Sequence, residues 1–411
     1  MLVIGGGDLV LPDRIQAAGS LVIEDGRIAA IEPGRVEPDG AARVEAAGGY
    51  VVPGFIDVHV HGVLGRDTLD GMGAVAAIAA ALPQFGVTAF CPTTVACPPE
   101  TLRVFLDQVR LARIAGSPGC ARVLPAHLES NFVNPEYRGA QPAACLRLPP
   151  GLPEVHQAYR STPGEYSGVQ ILSAIAVSRS DVGIITLAPE LPGALDLIRS
   201  LVREGHRVSL GHSGADFETA MAAIDAGATP ATHLFNRMAP IAHRAPGLAG
   251  AVLTRREVTP ELICDGYHVH PAICGLAIAA KGPAHVMAIT DGTAGAGMPI
   301  GAEARLGGRP IHVRDEAAFL DEGTLAGSTL TMDRAFRNVV TRFGRSIVEA
   351  ALMCATTPAR QLGLEDLGRI AEGMVADLVV LDRDFRVVRT FIEGEQVWPA
   401  TETSEGIETE G

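Results

Sequence analysis

Short apolar runs recur along the chain, and most of them end in polar residues. They are FIDVHVH (55–61), TAFCPTT (88–94), ARVLPAHLE (121–129), VGIITLAPE (182–190), RVSLGHS (207–213), ATPATHLFN (228–236), LICDGYHV (262–269) and VMAITDG (286–292). Ala-rich segments of helical character separate several of them, among them GAVAAIAAALPQFG (73–86), GALDLIRSLVREG (193–205) and DFETAMAAIDAG (216–227). Eight short strands with helical crossovers predict a (β/α)8 barrel. Residues 1–52 read differently, as short strands and turns, and Asp25-Gly26 between two apolar runs in SLVIEDGRIAAI predicts a hairpin. The same texture returns in 368–398, so both chain ends are expected to build one small β-sandwich domain. The division is then 1–53 and 356–398 for the small domain, 54–355 for the catalytic barrel, and 399–411 for an acidic tail expected to be disordered.

Composition narrows the partners. The chain has 411 residues and a formal net charge of −14, which argues against nucleic acid or an anionic membrane as the main partner. No apolar run is long enough to span a bilayer, and MLVIGGGDLVLPD has neither a basic n-region nor a signal-like apolar stretch. Seven cysteines without a C-x-x-C pair read as free thiols in a reducing compartment, so a cytoplasmic protein is expected. Lys281 is the only lysine. It follows AICGLAIAA and precedes Gly-Pro, which places it at a helix end.

The barrel expectation makes the strand ends informative, because such folds gather their chemistry at the C-terminal face. The ends supply His59 and His61, His127 and Glu129, His212, His233, His268 and Asp291. One histidine at a strand end is more often a hydrogen-bonded core residue than a ligand; this many together point to a site. Imidazole and carboxylate without thiolate suit a borderline divalent metal, with Zn2+ the first choice. Asp291 fits a base that then acts as an acid.

The motifs resemble a known family. PGFIDVHVHG is similar to the first-strand signature of the amidohydrolase superfamily. HLE, LAPE, GHSGA, THLFN-x-M, RAPGLAG, DGYHV, TDGTAGAG and TLAGSTLTM then follow in the order of the N-acetylglucosamine-6-phosphate deacetylase family. The resemblance implies a primary metal on Glu129, His212 and His233, with Asp291 activating water and His268 polarising the acetyl carbonyl. His59 and His61 are compatible with a second ion, so one or two ions per subunit are expected. The absence of a lysine at a barrel strand end leaves Glu129 as the bridging carboxylate. Gln141, Asn236, Arg237, Arg244, Ala326 and Gly327 fall on substrate-contacting segments, and a homodimer with Arg244 reaching the neighbouring site is implied.

Three departures from the family pattern stand on those segments. Ser130-Asn131 replace Gly-Pro after Glu129, Gln141 replaces a histidine in Arg138-Gly139-Ala140-Gln141, and Arg237 replaces a small residue after Asn236. Ser130 and Asn131 either bond near the site or satisfy loop backbone. Arg237 either adds a phosphate contact or fills the space. The expectation is a metal-dependent deacetylase of an N-acetylated amino sugar, phosphorylated at O6. A relative acting on a different or non-phosphorylated N-acyl amino sugar, and a non-catalytic ligand-binding homologue, remain as alternatives.

Overall fold

The computed structural model describes residues 1–116, 118–150, 166–314 and 317–399. The acidic tail expected to be disordered lies, from residue 400 on, outside the described residues.

The N-terminal strands are β1 (Leu2–Val10), β2 (Ile15–Glu24), β3 (Arg27–Glu32), β4 (Ala42–Glu45) and β5 (Tyr50–Pro53). The predicted hairpin is present: β2 and β3 pair antiparallel, with Asp25 and Gly26 both at positive φ (47° and 73°). Two successive left-handed residues match the right-handed twist of the flanking strands, which is why Asp-Gly suits this turn. Strand β1 pairs with β4 through its first residues and with β5 through Asp8 and Leu9, so the sheet branches along a bulged strand.

Barrel strands follow: β6 (Phe55–Val60), β7 (Val87–Thr94), β8 (Ala126–Glu129), β9 (Val182–Leu187), β10 (Arg207–Leu210), β11 (Pro230–Ala231), β12 (Thr259–Ile263) and β13 (Met287–Ile289). All pair parallel in chain order. The ring closes through Gly292, whose carbonyl accepts from His61 N at 2.8 Å, and through Asp291 N donating to His59 O at 3.0 Å. The closing hydrogen bonds therefore come from candidate site residues themselves.

Helices α1 (Ala74–Ala81), α2 (Pro99–Ala115), α3 (Gly168–Val177), α4 (Ala194–Arg203), α5 (Phe217–Asp225), α6 (Gly247–Thr254), α7 (Pro271–Lys281) and α8 (Met332–Thr341) surround the ring. Helix α4 shows the logic: Leu197, Ile198 and Leu201 are buried against the barrel while Asp196 and Arg199 pair outside. Asp216 caps α5 by accepting from Thr219 N at 2.8 Å. Lys281 ends α7 as expected, and its ammonium donates to the carbonyls of Val252 and Arg255 at the end of α6.

An antiparallel four-stranded insert follows β13 and has no counterpart in the sequence reading: β14 (Glu303–Leu306), β15 (Arg309–Arg314), β16 (Ala317–Leu320) and β17 (Leu325–Ser328). The chain returns to the end sheet as β18 (Leu378–Leu381), β19 (Val387–Ile392) and β20 (Glu395–Trp398), with β18 antiparallel to β5. Ile4, Leu21, Ile28, Leu378 and Phe391 share the core of this sheet. Arg122 ties it to the barrel, bonding Asp377 at 2.7 Å and Glu393 at 2.9 Å.

Candidate metal-dependent active site

Residues on a strand alternate between faces, so Asp57 and His59, His127 and Glu129 turn into the barrel, and His61 follows just beyond β6. This interior is polar in its upper part. His127, Thr186, Ser209, Thr232, Glu261 and Thr290 are all buried there. An ordinary barrel core would be filled by branched apolar side chains.

Glu129 stands at the centre. Its Oε1 lies 2.7 Å from His212 Nε2 and 2.8 Å from His233 Nε2, and the two imidazole nitrogens are 3.0 Å apart. Burial alone would raise the Glu129 carboxyl, but the two imidazoles hold it well below its ordinary value. Burial likewise opposes a charged His233, yet the hydrogen bond to Glu129 lifts that ring to about 9. Facing this cluster, His59 Nε2, His61 Nε2 and Asp291 Oδ1 lie 3.2, 3.3 and 3.4 Å from one another. Burial pushes His59 down to about 3. Asp291 is held below its ordinary value, because His59 and His61 outweigh the burial that would raise it.

These residues fit a divalent metal on two grounds. First, the tautomer of His212 is set by a group that only accepts: its Nδ1 donates to the Tyr137 carbonyl at 2.9 Å, which leaves Nε2 as the lone-pair nitrogen toward Glu129. Second, ligand atoms about 2.0–2.1 Å from a tetrahedral ion sit about 3.3–3.4 Å apart. The His59–His61–Asp291 separations match that spacing. The Glu129–His212–His233 separations are hydrogen-bond lengths that would open by a few tenths of an ångström around an ion. Three of these residues, His212, His233 and Asp291, have positive φ (49°, 29° and 49°). Such backbone is costly for residues with a Cβ and gathers at functional sites.

The pocket over the cluster is lined by His61, Glu129, Gln141, His212, His233, Asn236, Arg237, His268 and Asp291, together with Leu306, Leu325 and Gly327 from the insert. His268 lies in the turn beyond β12 rather than at the strand end, and Asp265 grips its Nδ1 at 2.6 Å. The ring is thereby aimed with Nε2 to the pocket. His127 is not part of the cluster: its Nδ1 donates to Val58 O and its Nε2 accepts from Thr186 Oγ1, the start of a buried hydroxyl chain to Thr232 and Ser209.

The departures from the family pattern divide. Ser130 donates to Thr186 O, and Asn131 donates to the carbonyls of Cys97 and Cys145, so both serve backbone and neither lines the pocket. Gln141 lines it, but its amide is engaged: Oε1 accepts from Ala96 N at 2.7 Å, and Nε2 donates to Glu129 Oε2. Arg237 is the one arginine on the pocket wall among the described residues, and its side chain runs across Gly139, where a Cβ would come within 2.6 Å of Nε. Ala326 packs into the core of the insert, while Gly327 beside it reaches the pocket. Arg244 is exposed in a tight turn between Ala242 and Ala245 and does not line this pocket.

Four acids escaped the sequence reading. Asp57 bonds Thr290 Oγ1 at 2.6 Å and His59 N at 3.2 Å, Glu261 bonds His59 Nδ1, Asp265 holds His268, and Glu190 accepts from Asn134, Ser213 and Gly214. Burial pushes both Asp57 and Glu261 up to about 7. Asp57 alternates with His59 and His61, so its face was readable; Glu261 precedes the run taken as its strand. A roomier hollow at the opposite end, between α1, α2 and the end sheet, includes Arg113 and Arg122, each already paired.

Comparison with known proteins bears on this geometry. The amidohydrolase family model matches residues 207–397. The N-acetylgalactosamine-6-phosphate deacetylase of Escherichia coli O157:H7 is 37% identical over 377 residues, covering 91% of this chain and 93% of that protein. The N-acetylglucosamine-6-phosphate deacetylase of Mus musculus is 37% identical over 410 residues, covering 95% of each. The chain belongs to the N-acetylglucosamine-6-phosphate deacetylase family. A solved structure from this family, a Mycobacterium smegmatis variant in complex with N-acetyl-D-glucosamine-6-phosphate, superposes with a TM-score of 0.84 at 32% identity, over 96% of this chain and 99% of that one. As a family member the chain is an amidohydrolase-superfamily hydrolase with a metal-suited His/Glu cluster in its barrel mouth.

Proposed function

We propose that this chain hydrolyses the N-acetyl amide of an amino sugar 6-phosphate, N-acetylglucosamine-6-phosphate or a close relative, to acetate and the amino sugar phosphate. The observation that carries the reading is that Asp291 and His268 open on the same pocket as the Glu129–His212–His233 cluster. Relatives named as deacetylases of such sugars support the substrate class. Glu129, His212 and His233 would hold a divalent ion, Zn2+ by the chemistry of the donor set, with His59 and His61 available to a second. When bound, such an ion supplies Lewis acidity toward water and the amide carbonyl.

The chain's own residues do the rest. Asp291, held ionised, accepts the proton of the attacking water and returns it to the amine nitrogen as the C–N bond breaks. His268, when protonated on both nitrogens, donates Nε2–H to the carbonyl oxygen as negative charge gathers there. Asp265 keeps that ring from turning. Asn236, Arg237 and the Gly327 backbone line the space for the sugar and its phosphate. Arg237 adds a cation on this chain's own wall, and Arg244, exposed and away from it, suits a phosphate in the neighbouring subunit of a homodimer. Gln141 acts through Glu129 rather than on the sugar alone. No helix among the described residues is long and apolar enough to cross a membrane, and seven free cysteines suit a cytoplasmic setting.

The test is release of acetate from a panel of N-acetylated sugars, with and without a 6-phosphate, by wild type, Asp291→Asn, Arg237→Ala and Arg244→Ala. The expected result is turnover of 6-phosphates that requires Asp291, with KM raised by either arginine substitution only when phosphate is present. Equal turnover of the unphosphorylated sugars would refute the phosphate assignment.

A further inference from the structure

Glu261 is fully buried inside the barrel, on β12, a position where a branched apolar side chain would pack without desolvating a carboxylate. Its Oε2 lies 2.9 Å from His59 Nδ1 and takes the backbone N–H of His233 at 3.4 Å. Its Oε1 has no hydrogen-bond partner among the described residues. His127 Nδ1, 3.7 Å from that oxygen, is turned to Val58 O instead. The carboxylate is therefore not kept as one half of a fully satisfied buried network, and what it does visibly is hold His59.

His59 is gripped twice. Asp57 accepts from its backbone N–H, and Glu261 accepts from its ring. Oε2 already accepts the backbone N–H of His233, so it stands as the acceptor toward His59 as well; Nδ1 then carries the hydrogen and the Nε2 lone pair faces the cleft. There it meets His61 Nε2 at 3.2 Å and Asp291 Oδ1 at 3.4 Å, the separations of a tetrahedral edge. Glu129 completes the set, with Oε2 at 3.6 Å from His61 Nε2 while its Oε1 serves His212 and His233. Without Glu261, His59 could present an Nε2–H to the cleft, which no cation accepts.

We propose that Glu261 is a positioning residue: by fixing His59 with Nε2 toward the cleft, it makes the His59–His61–Asp291 group competent to hold a second divalent ion beside the one on Glu129, His212 and His233. This rests on the metal-hydrolase reading above, and its test reads ion binding rather than turnover. Wild type, Glu261→Leu, Glu261→Gln and His59→Ala are equilibrated with Zn2+, and ions per chain are measured by elemental analysis and titration, with circular dichroism confirming the fold. Two ions are expected for wild type. In Glu261→Leu and His59→Ala the second ion should bind at least about tenfold more weakly with the first unchanged. Glu261→Gln, whose amide oxygen still accepts from Nδ1–H, should recover part of the loss.

A wild type that binds one ion, or a Glu261→Leu protein that binds both with wild-type affinity, overturns the proposal. Should Glu261→Leu fail to fold, nitrogen NMR of metal-free wild type decides: an Nδ1–H tautomer at His59 supports the assignment and an Nε2–H tautomer overturns it. Loss of deacetylation in the substrate panel, with ion binding as expected, would instead refute the substrate reading.

Discussion

His212 turns its Nδ1 to the carbonyl oxygen of Tyr137, 2.9 Å away, and its Nε2 to Glu129. A backbone carbonyl fixes this tautomer irrespective of any side-chain substitution at 137. The ion-binding face of His212 is thus set by the fold of the loop after β8. Stripping the protein with a chelator should abolish turnover and re-adding a divalent ion should restore it. His212→Ala should lose the ion of the primary cluster and at least about 100-fold in kcat. Turnover that survives in metal-free protein would count against metal dependence.

Asp291→Asn removes the proton acceptor while keeping the side chain's shape. The expected loss is about 10²- to 10⁴-fold in kcat with little change in KM. Steady-state kinetics check this, and a change confined to KM would assign Asp291 to binding instead.

Asp265 acts through His268. Asp265→Ala frees a ring now held at 2.6 Å, and kcat should fall by about tenfold or more while the protein stays folded. His268→Ala should fall further, and the double variant should cost no more than His268→Ala alone. Additive losses in that cycle would show that Asp265 does something else.

Gly327 is tight against the catalytic strand end. At φ 59°, a Cβ there would come 2.7 Å from Thr293 Cγ2 and 2.9 Å from the Asp291 carbonyl. Gly327→Ala should destabilise by about 1–3 kcal/mol and lower kcat by displacing Asp291. Thermal unfolding and kinetics together test this; Gly301→Ala, where a Cβ meets nothing within 4 Å but φ is also positive, separates strain from contact.

Lys281 is the only lysine, and its burial lowers its pKa from 10.5 to about 8. Between about 8 and 10.5 the unfolded chain holds a proton that the folded chain has released, so this group's contribution to stability rises with pH across that window. Amine labelling followed by peptide mapping should show Lys281 reacting with a midpoint near 8 in folded protein; a midpoint near 10.5 would contradict the burial.

The (β/α)8 barrel was legible because each strand is a short apolar run closed by polar residues, and eight such runs with helical spacers admit few other folds. Glu129, His212, His233 and Asp291 were legible for the same reason, as polar residues at the ends of those runs. The Asp25-Gly26 hairpin and the helix-end place of Lys281 followed from local backbone chemistry. The four-stranded insert after β13 went unread, although RLGGRPIHV carries a Gly-Gly turn between apolar residues, because its strands are short and mostly polar outside. Leu306 and Leu325 reach the pocket only by that insert's folding.

Sequence by itself thus determined which side chains would stand at the barrel mouth, because strand periodicity and strand ends are local properties. Only the tertiary structure decided what each of them faces. Ser130 turns to a carbonyl of strand β9, Asn131 turns to the carbonyls of Cys97 and Cys145, Gln141 turns to Glu129, and Glu261, on a strand 202 residues from His59, meets that ring from behind. Those partners come from distant strands and loops, and hydrogen-bond direction between them is fixed by the closed ring of strands, which no local pattern encodes.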